Sequence, residues 1–186
     1  KLPYDTIKDF EMVSTIGAFS LVVLVAPESP AKTVKELIAQ AKTSSGKFNI
    51  GSINIGTTQY LAAELLKSMA SLAVTSVPFN NTAGVLTALR GNDVQAAIEF
   101  MPPVLTQIRA NTLRAVAVTS LTRSPMLPNV PTLAESGLPG YEVNSWNGIA
   151  VAAKTPKSIV ERLNKEIHAA VNSPVIVQRF QELGVS

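Results

Sequence analysis

Hydrophobic positions along the chain alternate between two kinds of segment, and the alternation predicts the elements. Residues 11–17 read as a strand. Residues 21–26, Leu-Val-Val-Leu-Val-Ala, are apolar without interruption, as a strand covered on both faces should be. Pro27-Glu28-Ser29-Pro30 breaks that run. Thr33-Val34-Lys35-Glu36 then has the form of a capping box, in which Thr33 caps a helix and Glu36 reaches back to its amide. That helix extends to about Thr43, and Ser44-Ser45-Gly46 ends it. A strand follows at 48–52, a loop at 53–56, and a helix capped by Thr57 or Thr58. Leu61, Leu65 and Met69 give this helix an apolar stripe at spacing four. Further strands are expected at 72–78, 94–99, 113–118 and 143–152. Helices are expected at 82–89, with Gly91 at the usual stop position, and at 104–110. Pro156 starts a helix to about Val171, and Pro174 starts a last one to Leu183. Between them, Pro125, Pro128, Pro131 and Pro139 mark an ordered but irregular stretch. Strands alternating with helices argue for an α/β protein with parallel-type sheets.

Composition narrows the class. The 186 residues are 46% hydrophobic and 16% charged, which excludes a disordered chain and suffices for one domain or two small ones. Sixteen Lys+Arg against 13 Asp+Glu leave a net charge of +3, too weak and too scattered to argue for nucleic acid. The absence of cysteine excludes disulfide scaffolds and thiolate metal sites, and a single histidine, His168, excludes a histidine metal cluster. No apolar run approaches the ~18 residues of a membrane helix. No cofactor is implied. The chain opens on Lys1-Leu2-Pro3-Tyr4 without Met and stops at Gly184-Val185-Ser186 just after a helical pattern, so a fragment or a processed product is expected.

Candidate chemistry sits in strand-to-helix loops, where ligands collect in open α/β sheets. The most informative is Gly51-Ser52-Ile53-Asn54-Ile55-Gly56-Thr57-Thr58. Its glycines permit close backbone approach, and the helix start offers unpaired amides and a positive dipole end for an anion. The spacing nearly matches a phosphate loop, but Thr57 stands where that loop has Lys, so a triphosphate is poorly supported. A carboxylate needs less charge. The same residues equally make a tight turn with a capping Thr. In the second loop, Phe79 can wall a pocket and Asn80 and Asn81 can donate and accept, or the pair can simply turn the chain into a helix. In the third, Glu99 and Phe100 follow an apolar strand. Glu99 can receive a ligand's amine, hydroxyl or water, or brace its own loop. Trp146, beside Asn147, is the single tryptophan, either a partly wet pocket wall or a core side chain with its indole N–H satisfied.

Catalysis has little support. His168 lies on a solvated helix face near Lys165 and Glu166. There is no Gly-x-Ser-x-Gly elbow and no Gly-x-Gly-x-x-Gly dinucleotide loop.

Longer motifs point to a family. Leu2-Pro3-Tyr4-Asp5 with Lys8-Asp9-Phe10, the segment from Pro30 to Leu37, and above all Leu113-Arg114-Ala115-Val116-Ala117-Val118-Thr119-Ser120 followed by Arg123-Ser124-Pro125 and Leu127-Pro128-Asn129-Val130-Pro131-Thr132 form a long and idiosyncratic run. Glu135-Ser136-Gly137-Leu138-Pro139-Gly140-Tyr141-Glu142, Ser145-Trp146 and Ile159-Val160-Glu161-Arg162-Leu163-Asn164 continue it. Over essentially its whole length the chain resembles the substrate-binding proteins of the tripartite tricarboxylate transporter system, the Bug family.

The resemblance implies a type II periplasmic-binding-protein fold of two α/β lobes that close over a small carboxylate. Residues 1–27 and 143–186 would belong to lobe 1, which would be incomplete, and residues 28–142 would form lobe 2. It implies a periplasmic solute receptor, not an enzyme, that hands its ligand to membrane permease subunits. The alternative is the effector-sensing domain of a transcription regulator with the same bilobal fold. The family's Gly-x-Gly-Thr-x-x-His is similar to Asn54-Ile55-Gly56-Thr57-Thr58-Gln59-Tyr60, with Asn54 and Tyr60 replacing its first Gly and its His. Its Val-Pro-Tyr-Lys-Gly is similar to Val77-Pro78-Phe79-Asn80-Asn81, and the loss of Lys at Asn80 weakens a tricarboxylate reading. Together with the loop readings above, the expected ligand-binding set is Ser52, Asn54, Ile55, Gly56, Thr57, Thr58, Phe79, Asn80, Glu99, Phe100, Trp146 and Asn147.

Overall fold

A computed structural model describes residues 2–44 and 46–185. Lys1, Ser186 and the expected helix-ending role of Ser45 lie outside the described residues. The chain divides into two compact units, one of residues 20–145 and one of residues 1–19 with 146–186.

The larger unit is an α/β layer structure. Its sheet contains the second half of β1 (Phe10–Val25), together with β2 (Asn49–Ile53), β3 (Thr75–Phe79), β4 (Ala96–Phe100) and β5 (Arg114–Val118), in the order β3-β2-β4-β1-β5. β2 pairs in parallel with β3 and with β4, as the strand–helix alternation requires. β1 is antiparallel to both of its neighbours, β4 and β5, so the sheet is mixed. The expected strands at 11–17 and 21–26 are one element. No proline separates them, and Leu21, Val22, Val23, Leu24 and Val25 all lie fully buried in the middle of the sheet. The unbroken apolar run is thus explained by cover on both faces.

Helices α1 (Val34–Thr43) and α2 (Thr58–Ala70) share one apolar core with Leu21, Val23, Ile50, Ile98 and Tyr141. Helices α3 (Thr82–Arg90) and α4 (Met101–Arg109) share the other with Val22, Leu24 and Ala97. The capping box forms in both directions: the Glu36 amide donates to Thr33 Oγ1 at 3.2 Å and the Thr33 amide to Glu36 Oε2 at 2.9 Å. One local expectation changes, and another holds with a difference in backbone conformation. α2 buries Gln59, Ala62, Ala63, Leu66 and Ala70, while Leu61 is 57% exposed. The small alanines let this face approach the sheet, and the Tyr141 hydroxyl donates to the Ala62 carbonyl at 2.7 Å. Gly91 caps α3 with an ordinary φ of −77°, and the left-handed residue is Asn92, at +61°. Asn tolerates that region better than other side chains.

After β5 the proline-rich stretch is held by specific bonds. Val118 and Thr132 form a parallel bridge, and Arg123 Nε donates to Glu135 Oε2 at 2.9 Å. The Thr132 amide above all, with Arg123, holds the Glu135 carboxyl below its ordinary range.

The smaller unit contains the first half of β1, β6 (Asn144–Ala152) for most of its length, α5 (Lys157–Val171) and α6 (Pro174–Leu183). β6 pairs with β1, and Asn164 of α5 donates to the Val13 carbonyl at 2.6 Å. Neither helix contains a buried residue, and Ile159 and Val175 are exposed. His168 is exposed on α5, as expected for a solvated face.

Candidate functional site

Parallel pairing brings the carboxyl ends of β3, β2 and β4 side by side in the larger unit, and α2, α3 and α4 start directly beyond them. The first-turn amides of each helix have no acceptor within the helix, and the helix dipole makes this edge positive. The three N-termini differ in what they offer. α4 contributes least: Pro102 and Pro103 lack amide hydrogens, and Phe100 supplies no side-chain cap. α2 and α3 keep ordinary first turns, so amide donors concentrate there.

Thr57 is the N-cap of α2, deciding between the two threonines. Its hydroxyl accepts from the Tyr60 amide at 3.3 Å and faces the carbonyls of Asn54 at 2.8 Å and Ile53 at 3.1 Å. One proton and one cap bond occupy this oxygen, so the capping role expected of the turn is present. The amides of Thr58 and Gln59 remain as donors at the helix start. The loop is fastened to β3 by the Asn54 amide, which donates to the Phe79 carbonyl at 3.0 Å. Gly56 turns it at a φ of +88°, a conformation that strains any other residue. Ile55 stands out at 73% exposure.

Asn81 caps α3, accepting from the Gly84 amide at 2.9 Å, and leaves its neighbour Asn80 exposed. Phe79 is half-buried over Gly51, whose absent Cβ would meet Val94 Cγ2 at 3.1 Å and Phe79 Cε2 at 3.4 Å. Glycine at 51 therefore sets how closely β3 and α3 pack on β2.

Glu99 is fully buried beneath this edge. Thr82 of α3 donates to its Oε2 at 3.1 Å, while Oε1 has no partner in hydrogen-bond geometry. Burial raises its pKa, and the Thr82 hydroxyl, the Gln59 side chain and the Phe100 amide oppose the rise. The loops 54–58, 79–82 and 100–103 carry no cation and no other charge. Ser52 is likewise buried with an unpartnered hydroxyl. Phe100 packs against the α1/α2 core.

Of the twelve sequence candidates, the ten from Ser52 to Phe100 lie along the β2, β3 and β4 ends of the larger unit. Trp146, 59% exposed, and Asn147 belong to β6 in the smaller unit. Sequence reasoning missed two contributors, Gln59 and Thr82, which surround Glu99 from α2 and α3. Gln59 was detectable in principle, since 59, 62, 63, 66 and 70 form one helical stripe with a polar member.

The arrangement suits an anion held by amides and hydroxyls without a cation. Comparison with known proteins gives it context. Residues 1–186 match TctC, the tripartite tricarboxylate transporter family receptor. The chain belongs to that family. It is 35% identical over its full length to the UPF0065 protein of the tcbD-tcbE intergenic region of Pseudomonas sp. strain P51, and 32% identical to protein BugT of Bordetella pertussis. It covers 55% and 57% of those two proteins, so it spans about half the length of the curated relatives it matches. Among solved structures, the TctC-family chain is similar to R. palustris Rpa4515 with adipate, at a TM-score of 0.92 and 31% identity. It is also similar to MatC from Rhodopseudomonas palustris with bound malate, at 0.88 and 28%. The matches cover all of this chain and 62% and 63% of those chains. The chain is similar as well to the periplasmic binding protein BugD, at a TM-score of 0.86 and 29% identity, over 95% of the chain and 59% of BugD. No helix among the described residues is long and apolar enough to cross a membrane.

Proposed function

We propose that the protein is a periplasmic receptor for a small organic carboxylate, which it passes to the membrane permease subunits of a tripartite transporter. The observation that carries this reading is the edge where α2 and α3 begin, rich in amide donors and free of cations. A ligand carboxylate sits at the start of α2, on the amides around Gly56, Thr57 and Thr58, where the helix dipole favours negative charge. Phe79 and Asn80 shape the neighbouring wall, partly through water. Burial raises the pKa of Glu99, so the group beneath the site is held less readily as a carboxylate than an exposed glutamate would be. The bound adipate and malate of the two related structures make dicarboxylates the first candidates.

The test is a thermal-shift screen of the full-length protein against mono-, di- and tricarboxylates, with adipate and malate included. A ligand at 100 times its Kd stabilises by about 2.7 kcal/mol, a clear rise in Tm. A dicarboxylate response is the expected result. A full-length protein that ignores every carboxylate yet responds to a neutral or cationic solute refutes the reading.

A further inference from the structure

The chain passes between its two units twice, after Phe19 and after Ser145. On the larger unit, both passages are bonded to one side chain. Thr119, directly beyond β5, is fully buried. Its Oγ1 accepts from the Leu21 amide at 2.8 Å and lies 2.7 Å from the Val143 carbonyl. It also lies 3.2 Å from the Leu21 carbonyl, but that oxygen already accepts from the Thr119 amide at 3.0 Å. A hydroxyl has one proton to give, and the shorter contact takes it. The Thr119 carbonyl in turn accepts from the Val143 amide at 3.0 Å. Leu21 opens the buried part of β1 beside the first passage, and Val143 leads into β6 beside the second. A relay therefore runs from the Leu21 N–H through the Thr119 hydroxyl to the Val143 carbonyl, joining two backbones far apart in sequence.

We infer that Thr119 is a positioning residue that clamps the two interunit passages together on the larger unit, so that both start from one fixed point. Valine has the same shape but no hydroxyl. In its place the Leu21 amide loses its acceptor on Oγ1 and the Val143 carbonyl loses the hydroxyl that donates to it. Serine keeps both bonds. The clamp makes the passages move as a pair, and its effect on ligand affinity rests on the receptor reading above. Its effect on backbone exchange does not.

The experiment uses the full-length protein. Amide hydrogen exchange is followed at Leu21 and Val143, and affinity for adipate and for malate is measured by calorimetry, in wild type, Thr119→Val and Thr119→Ser. The expected result is exchange at Leu21 at least tenfold faster in Thr119→Val, affinity for the bound probe at least threefold weaker, and both restored in Thr119→Ser. Unchanged exchange at Leu21 in the valine variant overturns the clamp, and so does faster exchange with wild-type affinity. Should the valine variant not fold, the wild type decides, because rapid exchange of its Leu21 amide overturns the clamp by itself. A wild type that binds neither adipate nor malate nor any other carboxylate refutes the receptor reading instead, and the exchange data still judge the clamp.

Discussion

Thr57 offers a way to separate a helix cap from a ligand contact. Its hydroxyl is engaged by the Tyr60 amide and the Asn54 carbonyl, so Thr57→Ala removes a cap at a half-buried helix start. The stability cost is about 1 kcal/mol. Thr57→Ser keeps both the cap and the proton given to the Asn54 carbonyl, and should hold Tm near the wild-type value. Thr57→Asp keeps the cap, and its charge suits the N-terminal dipole, but it has no proton for that carbonyl, so its Tm should fall to about that of Thr57→Ala. Binding should split them. Aspartate places a negative charge where the ligand carboxylate is proposed to sit. Two like charges ~5 Å apart at an effective dielectric of about 20 repel by roughly 3 kcal/mol, about a hundredfold in Kd. Calorimetric titration with the dicarboxylate found in the screen, alongside thermal melts, reads both quantities. The pattern expected is serine normal in both, alanine and aspartate lowered in Tm, and only aspartate severely impaired in binding. An aspartate variant that binds as well as wild type would show that the anion does not sit at the α2 start.

Three further outcomes follow from the geometry. The native pKa of Glu99 is raised by burial, so from about the unfolded value of 4.3 upward its proton is held more tightly in the folded state. Stability from this group is present at low pH and is lost as pH rises through the folded pKa. Measured by urea unfolding, Glu99→Gln should accordingly improve relative to wild type as pH goes from 4 toward 8 (about the span of the reference carboxylate value to neutrality), and a flat difference would contradict it. Gly51→Ala brings a methyl within 3.1 Å of the Val94 side chain and should destabilise by about 1–3 kcal/mol in the same assay. Tyr141→Phe removes the donor to the Ala62 carbonyl without changing the core volume, and should cost about 1 kcal/mol, read as a lower denaturant midpoint at unchanged slope.

Much of this protein was legible in its sequence because the signals are local. The 33–36 capping box, the Pro156 and Pro174 helix starts and the unbroken apolar run at 21–25 each depend on a few neighbouring residues, and the structure contains all of them. The strand-to-helix loops that hold the site candidates were legible for the same reason. What the sequence left open required knowing which strands lie together. Residues 11–17 and 21–26 read as two strands, since period and composition do not say whether a chain bends between them; in the structure they are one strand, Phe10–Val25. The stripe at Leu61, Leu65 and Met69 is as helical as the one at Gln59, Ala62, Leu66 and Ala70, and only packing against the sheet selects the second.

The site divides in the same way. Thr57 as a cap follows from its place before a helix. The burial of Glu99 between Thr82 and Gln59, and the joining of Leu21 to Val143 through Thr119, follow from no pattern along the chain. Sequence determined the elements and the chemistry available at their ends, because propensity and capping act over a few residues. Tertiary structure alone decided which polar groups are buried together and which chain passages are tied, because those bonds span from 17 to 98 residues.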